Sequence, residues 1–176
     1  MDFDWDTWTP VDRATLLFIV EEGANRILLI EKKRGLGAGK INAPGGRIEA
    51  NESPLEAAVR ELREEVGVDA TGVVEHGELS FHFLDGYELH CHVFRADVCI
   101  GEPIETDEAK PLWTSLDAIP WGRMWADDAT WLPRLLRREH FRGRYVFDGD
   151  RMLSAQVSSE PSSPEDASLS ETRGPS

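Results

Sequence analysis

Between positions 45 and 68 the sequence gathers the residues best suited to chemistry: Gly45-Gly46, then Glu49 and Glu52, then Glu61, Glu64 and Glu65. Residues 53–66 read as a helix. Ser53 suits the N-cap, Pro54 the first helical position, Glu56 completes a capping box and Gly67 is a C-terminal stop. At a helical step Leu55, Ala58, Val59, Leu62 and Val66 form one stripe, and Glu61, Glu64 and Glu65 share another sector. Like charges at this spacing repel by about a few tenths of a kcal/mol per exposed pair. The sector is therefore either a solvated face partly neutralised by Arg60 and Arg63, or a place where a cation is held. The preceding Gly45-Gly46 allows a sharp turn or close backbone approach to a ligand. A sulfur-free carboxylate set selects hard cations such as Mg²⁺ or Mn²⁺, which also hold substrate phosphates.

Such a cation matters because the chain is acidic. Its 176 residues carry 33 Asp and Glu against 19 Lys and Arg, a formal charge of −14, with a pI near 4.7. That charge argues against a nucleic-acid duplex as partner, since duplex affinity comes from clustered Lys and Arg. With 40% hydrophobic and 30% charged residues the chain suits one soluble domain. Cys91 and Cys99 are too few for a secreted disulfide scaffold and lack zinc-ligand spacing. The acidic start is unlike a signal peptide, and the apolar run 14–20 is shorter than a membrane span needs. A cytoplasmic protein with no membrane partner is expected.

The elements that must position the acidic helix follow from periodicity and turn residues. Residues 1–12, with Trp5, Trp8 and Pro10, form an arm that either packs on the domain or runs free. Residues 13–153 form the domain. Residues 154–176, rich in Ser, Pro, Glu and Asp, are expected to be disordered. Within the domain, runs 14–20 and 26–31 read as a hairpin. Gly35, Gly37 and Gly39 stand in a basic loop with Lys32, Lys33, Arg34 and Lys40. Strands are expected at 73–83, 88–98 and 111–113, a turn at 116–120, a basic amphipathic helix at 131–139, and a final hairpin of 144–147 with 151–153. His82, His90 and His92 alternate along two of these strands without the partner spacing of a metal site, and no role is assigned to them. Strands with interspersed helices, without strict alternation, indicate an α+β chain.

Gly46, Glu52, Arg60, Glu61, Leu62, Glu64, Glu65, Gly67 and Val68 match the signature GX5EX7REUXEEXGU, U being aliphatic, at all nine fixed positions. On this segment the chain resembles the Nudix hydrolases. The likeness continues through residues 32–40, Asn42, 101–111, 124–128 and 131–133, where it is similar to the MutT-homologue branch acting on oxidised purine nucleoside triphosphates. The resemblance implies a Nudix α/β/α sandwich with a mixed central sheet. It also implies that Glu61, Glu64 and Glu65 are catalytic and bind metal, that Arg60 orients them, and that Glu52 supports loop and helix. Gly45 and Gly46 would shape the phosphate loop, and Glu108 would add a carboxylate to the metal region.

For the substrate, the same resemblance places Thr15 and Lys32 near the nucleotide and Asn42 on the purine edge. Trp125 would stack on the base, Phe81 and Phe83 would wall its pocket, and Asp127 and Asp128 would read its Watson–Crick side. Close carboxylates do not readily both ionise, so one Asp keeps a proton and donates while the other accepts. Each residue also has a plainer reading. Asp127 or Asp128 could cap the following helix, Trp125 and Met124 could be core, and Glu108 could be solvated surface. Animal members carry aromatics where Leu36 and Pro44 stand and a tryptophan in place of Ile41. His90 falls near a methionine of those enzymes, and the loop between the two strands is one residue shorter. The pocket is therefore expected to be less aromatic on one side.

The implied activity is Mg²⁺-dependent hydrolysis of 8-oxo-dGTP and 2-oxo-dATP to the monophosphate and pyrophosphate by a monomer. Rivals are a Nudix hydrolase of a dinucleoside polyphosphate, nucleotide sugar or capped RNA end, and a non-catalytic nucleotide-sensing module, which usually shows eroded box glutamates. Sequence does not rank the glutamates as base. Glu64→Gln is expected to reduce kcat severely without unfolding the chain; steady-state turnover beside circular dichroism checks this, and near-normal kcat contradicts it.

Overall fold

The structure is a computed structural model and describes residues 3–160. Most of the segment expected to be disordered, 161–176, lies outside the described residues, as do residues 1–2. The strands are β1 (Asp12–Glu21), β2 (Arg26–Lys32), β3 (Ile41–Asn42), β4 (Gly45–Arg47), β5 (Asp69–Thr71), β6 (Val74–Phe83), β7 (Glu88–Ala96), β8 (Val98–Ile100), β9 (Ala109–Ser115), β10 (His140–Asp148) and β11 (Arg151–Glu160). The helices are α1 (Pro54–Val66) and α2 (Asp128–Leu136). Among the described residues no helix is long and apolar enough to cross a membrane.

The main sheet runs β11-β10-β6-β7-β1-β2-β3, with β4 paired to β1 and β9 to β2. β1 lies parallel to β7, and β6 parallel to β10, while the other pairings are antiparallel, so the sheet is mixed. β1 is central, and its run Leu17, Phe18, Ile19 and Val20 is wholly buried because both faces are covered. Alternation splits that run: Leu17 and Ile19 join Leu28, Ile30 and Phe94 under Ala58, Leu62 and Val66 of α1. Phe18 and Val20 join Val93, Phe141 and Phe147 against Trp131, Leu132 and Leu135 of α2. One helix on each face gives the α/β/α layering.

Several boundaries differ from the sequence reading for identifiable reasons. The β1–β2 hairpin pairs only at Val20↔Ile27 and Glu21↔Arg26, because the first half of β1 is held between β7 and β4. The buried face of α1 is rotated. Ala57, Ala58, Leu62, Glu65 and Val66 are buried, whereas Leu55 is 46% exposed. The glycine pair of β4 draws the flank carrying Ala57, Glu61 and Glu65 inward. α2 begins three residues before the expected start and ends at Leu136, where Arg138 turns left-handed (φ 60°) to lead into β10. The expected strand 88–98 divides into β7 and β8, the latter pairing with β5 in a separate two-stranded sheet.

Both ends of the domain also move. β1 starts at Asp12, and β11 continues to Glu160, past the expected end of the domain at 153, with every residue from Ala155 to Glu160 paired to β10. Composition alone misses this, because an edge strand fed by backbone hydrogen bonds needs few apolar side chains. At the other end the arm packs on the sheet: Phe3 stacks on His82 at 3.9 Å and Trp8 lies 6.0 Å from His90.

Arg95, 1% exposed on β7, fixes α2 to the sheet. Its Nη1 donates to the carbonyls of Leu135 (3.2 Å) and Leu136 (3.1 Å), and its Nη2 to Glu22 Oε1 (2.5 Å). The cation thus caps carbonyls at the end of the helix, adding to the bond that Leu135 O accepts from Arg138 N (3.0 Å). Arg95→Met, which keeps the aliphatic stem, is expected to cost about 2 kcal/mol of unfolding free energy. Urea denaturation with an unchanged m-value checks it.

Candidate active site

α1 owes its position to local chemistry. Ser53 Oγ accepts from Glu56 N (3.1 Å) and Glu56 Oε1 accepts from Ser53 N (3.3 Å), a complete capping box, while Gly67 closes the helix in the left-handed region (φ 70°). In front of the helix, β4 runs very close to β1. A side chain at Gly45 would meet the carbonyl oxygen of Thr15 at 1.9 Å, and one at Gly46 would meet the Glu61 carboxyl carbon at 2.5 Å. The glycine pair therefore opens the space into which the glutamates point.

The carboxylates of Glu61, Glu65 and Glu108 converge, with one oxygen of each lying within 4.8 Å of the others. Glu65 is 6% exposed, and its Oε2 is buried without a hydrogen-bond partner. Burial first, then the Glu61 charge, push its carboxyl up to about 8, while Lys32 and the Gly45 N–H act in the opposite sense. Glu61 is also raised, chiefly by burial, against the pull of Arg60. Glu108 comes from a distant loop threaded over the end of α1. Thr106 Oγ1 donates to Glu65 O (2.7 Å), and Glu108 N donates to Thr106 Oγ1 (3.3 Å). An all-oxygen group with an orphaned buried carboxylate oxygen suits a hard divalent cation.

Glu64 is not in this group. Its side chain is 51% exposed and is held by Arg60 Nη1 at 3.2 Å. Arg60 is the hub behind the helix. It donates to Glu52 through Nε (2.7 Å) and Nη2 (2.9 Å), to Glu61 Oε1 (2.9 Å), and to the carbonyl of Arg47 (3.0 Å). The Arg60 fork, aided by the Glu49 N–H, holds Glu52 down at about 2. Arg60 itself is held more firmly protonated, first by Glu52.

Beside the carboxylates opens a cleft of about 660 Å³, mouth included. It is lined by Thr15, Lys32, Asn42, Gly45, Gly46, Phe81, Phe83, Trp125, Asp127 and Asp128, so every substrate residue named from sequence faces one space. Lys32 joins the two halves; burial lowers its pKa while Glu65 and Glu61 oppose the shift. Of the other basic residues of the glycine loop, Lys33 pairs with Glu105 (3.2 Å) and Lys40 with Asp150 (3.3 Å), while Arg34 pairs with Glu108 of the carboxylate group (2.8 Å). Trp125 stands edge-on to Phe147 (5.5 Å) and Phe83 (6.2 Å), with Lys40 Nζ 5.2 Å from its ring.

Asp127 and Asp128 are each 2% exposed. Asp127 occupies the N-cap position of α2, yet its side chain makes no cap bond and instead accepts from Trp131 Nε1 at 2.8 Å. Burial raises its carboxyl to about 6. Asp128 is raised well above the ordinary range by burial and by its neighbour, and its Oδ2 is buried without a partner. Its Oδ2 is thus free to hydrogen-bond a polar group that enters the cleft.

Sequence reasoning missed Ala14, Leu16, Leu89 and Cys91 as cleft walls. Their signal is the two-residue period: Leu89 and Cys91 lie opposite Phe81 and Leu79. Of the three departures from the animal pattern, only Leu36 lines the cleft, 47% exposed at its rim. Ile41 is buried in the core on the α2 side, and Pro44 is buried beside β1, its carbonyl accepting from Leu17 N.

The comparisons agree with this architecture. An oxidized purine nucleoside triphosphate hydrolase of Danio rerio is 44% identical over 140 residues, spanning 79% of this chain and 88% of that protein. The one of Mus musculus is 40% identical over 142 residues, spanning 80% and 90%. The crystal structure of a MutT protein from Bacillus halodurans superposes with a TM-score of 0.76 at 29% identity, covering 86% of this chain and all of that one. The family model described as the NUDIX domain matches residues 10–135. A glycine bend, a capped acidic helix and a signature met at every fixed position thus have one common explanation: the chain belongs to the NUDIX family.

Proposed function

We propose that this chain hydrolyses oxidised purine nucleoside triphosphates, 8-oxo-dGTP and 2-oxo-dATP, to the monophosphate and pyrophosphate, and so cleanses the nucleotide pool. One observation carries the reading: a cleft lined by two buried aspartates and an aromatic slot reaches Lys32, Gly45 and Gly46, beside which the carboxylates of Glu61, Glu65 and Glu108 converge. The names of the Danio rerio and Mus musculus relatives support it.

Glu61, Glu65 and Glu108 would hold Mg²⁺, or Mn²⁺ in its place, whose charge neutralises the phosphate oxygens. Lys32 lies between this group and the base end, where its ammonium meets the phosphate chain. Arg60 is a positioning residue; its fork fixes the Glu61 carboxylate against the helix. A glutamate of the acidic face takes the proton of the attacking water, and the attacked phosphorus sheds its anhydride oxygen. The base lies against Trp125 between Phe81 and Phe83, with Asn42 on its edge. At neutral pH Asp127 is ionised and accepts, while Asp128 keeps its proton and donates.

The reading is tested with 8-oxo-dGTP, 2-oxo-dATP, dGTP and diadenosine polyphosphates, with and without Mg²⁺, measuring pyrophosphate released. The oxidised purines are expected to exceed dGTP in kcat/KM by at least about tenfold, only with the ion present. Faster cleavage of the dinucleotides contradicts the proposal.

The aspartate pair makes a separate prediction about binding. As pH falls through about 6, Asp127 gains a proton and the acceptor is lost. As pH rises through the higher titration of Asp128, the donor is lost, so affinity for 8-oxo-dGMP peaks between the two. Asp128→Asn carries a permanent N–H donor and is expected to abolish the alkaline loss while keeping the acid one. Calorimetric Kd across pH, in metal-free buffer, reads this apart from the catalytic glutamates.

A further inference from the structure

The sheet face opposite the cleft holds a second cluster of ligating side chains. On β6 and β7 the register sets Glu78 directly across from His92 and Ser80 across from His90. Glu78 Oε1 lies 3.7 Å from His90 Nε2 and 3.7 Å from His92 Nδ1, and one ligand atom of each residue falls within 4.8 Å of the others. Tetrahedral zinc, with bonds of about 2.0–2.2 Å to nitrogen and oxygen, needs ligand atoms about 3.3–3.6 Å apart. His92 Nδ1 is hydrogen-bonded to Glu75 Oε1 at 2.5 Å, a contact that an ion at this nitrogen would replace.

We infer that Glu78, His90 and His92 form a second cation site on this chain, taking a Zn²⁺-class ion and distinct from the group of Glu61, Glu65 and Glu108. Imidazole donors favour zinc-class ions, whereas the all-oxygen group suits magnesium. The surroundings prepare the ligands. Ser80 Oγ lies 3.2 Å from His90 Nδ1, where it can accept the ring proton when Nε2 ligates. Ligation through His92 Nδ1 displaces its hydrogen bond to Glu75 and moves the ring proton to Nε2, which is buried without a partner.

Two cations border the site: Arg142, 3.4 Å from the other oxygen of Glu78, and Arg13, in register with His90 on β1. The carboxylates of Glu75 and Glu78 offset them. The side chains of His90 and His92 are 16% and 10% exposed, while Glu78 and Glu75 are 35% and 40% exposed and form the way in. Trp8 of the arm lies beside His90, so an ion here would pin β6 to β7 beneath the arm.

The test is equilibrium dialysis of the full chain against Zn²⁺ in excess Mg²⁺, which occupies the oxygen group, with Co²⁺ absorption reporting coordination. One Zn²⁺ per chain is expected, with the intense visible bands of tetrahedral Co²⁺. Glu78→Gln and His90→Gln should each weaken binding at least about tenfold, while Glu65→Gln leaves it unchanged. Melting in EDTA verifies that each variant is folded; if His90→Gln is not, Glu78→Gln decides. No zinc retained under Mg²⁺, binding indifferent to both variants, or binding lost in Glu65→Gln overturns the inference.

Discussion

Holding three carboxylates together out of water is the constraint around which this molecule is arranged. Glu61, Glu65 and Glu108 bring like charges within a few ångströms while two of them are largely buried. Glu61 and Glu65 are both desolvated and repelled, and without compensation such a group protonates or the structure opens. The compensators come from opposite sides. Arg60 grips Glu61 and Glu52 from behind the helix, Lys32 faces the group from the cleft, and the Gly45 N–H serves Glu65. The capping box, the glycine pair and the loop that carries Thr106 and Glu108 all bring these partners to one point.

The base end of the cleft uses the same desolvation. Asp127 and Asp128 are as deeply buried as Glu65 and, like it, are reached by no arginine fork. Asp127 has the indole N–H of Trp131, and Asp128 has a backbone hydrogen bond from Trp125 and the remote charge of Lys40. A neutral donor compensates a buried charge less than a guanidinium does, so the pair retains a proton. One end of the cleft is thereby suited to a cation and the other to the polar edge of a base.

Both ends depend on the strand period. β6 and β7 send Leu79, Phe81, Phe83, Leu89 and Cys91 toward the α2 side and the cleft, and Glu78, Ser80, His82, His90 and His92 toward the other face. The first set is apolar because it is packed. The second is polar and titratable, half shielded by Phe3 and Trp8 of the arm. A change on one face thus acts on the other only through the shared backbone.

Much of this was legible in the chain itself because its determinants are local. The extent of α1 followed from Ser53, Pro54, Glu56 and Gly67, residues that satisfy their own neighbours' backbone groups. The glycine bend and the box glutamates lie within 23 consecutive residues, so spacing alone places them on one element. Other features could be settled only by tertiary structure. Which flank of α1 turns inward was decided by β4, leaving Leu55 outside and Glu65 inside. Whether Asp127 capped a helix or faced a cleft was decided by Trp131, and Glu64 parted from Glu61 and Glu65 because Glu108 arrived from another loop. The polar strand to Glu160, the buried Arg95 and the meeting of Glu78 with His92 rest on strand register and chain crossing. Composition and periodicity carry no record of these, because the partner is supplied by a segment far away in the sequence.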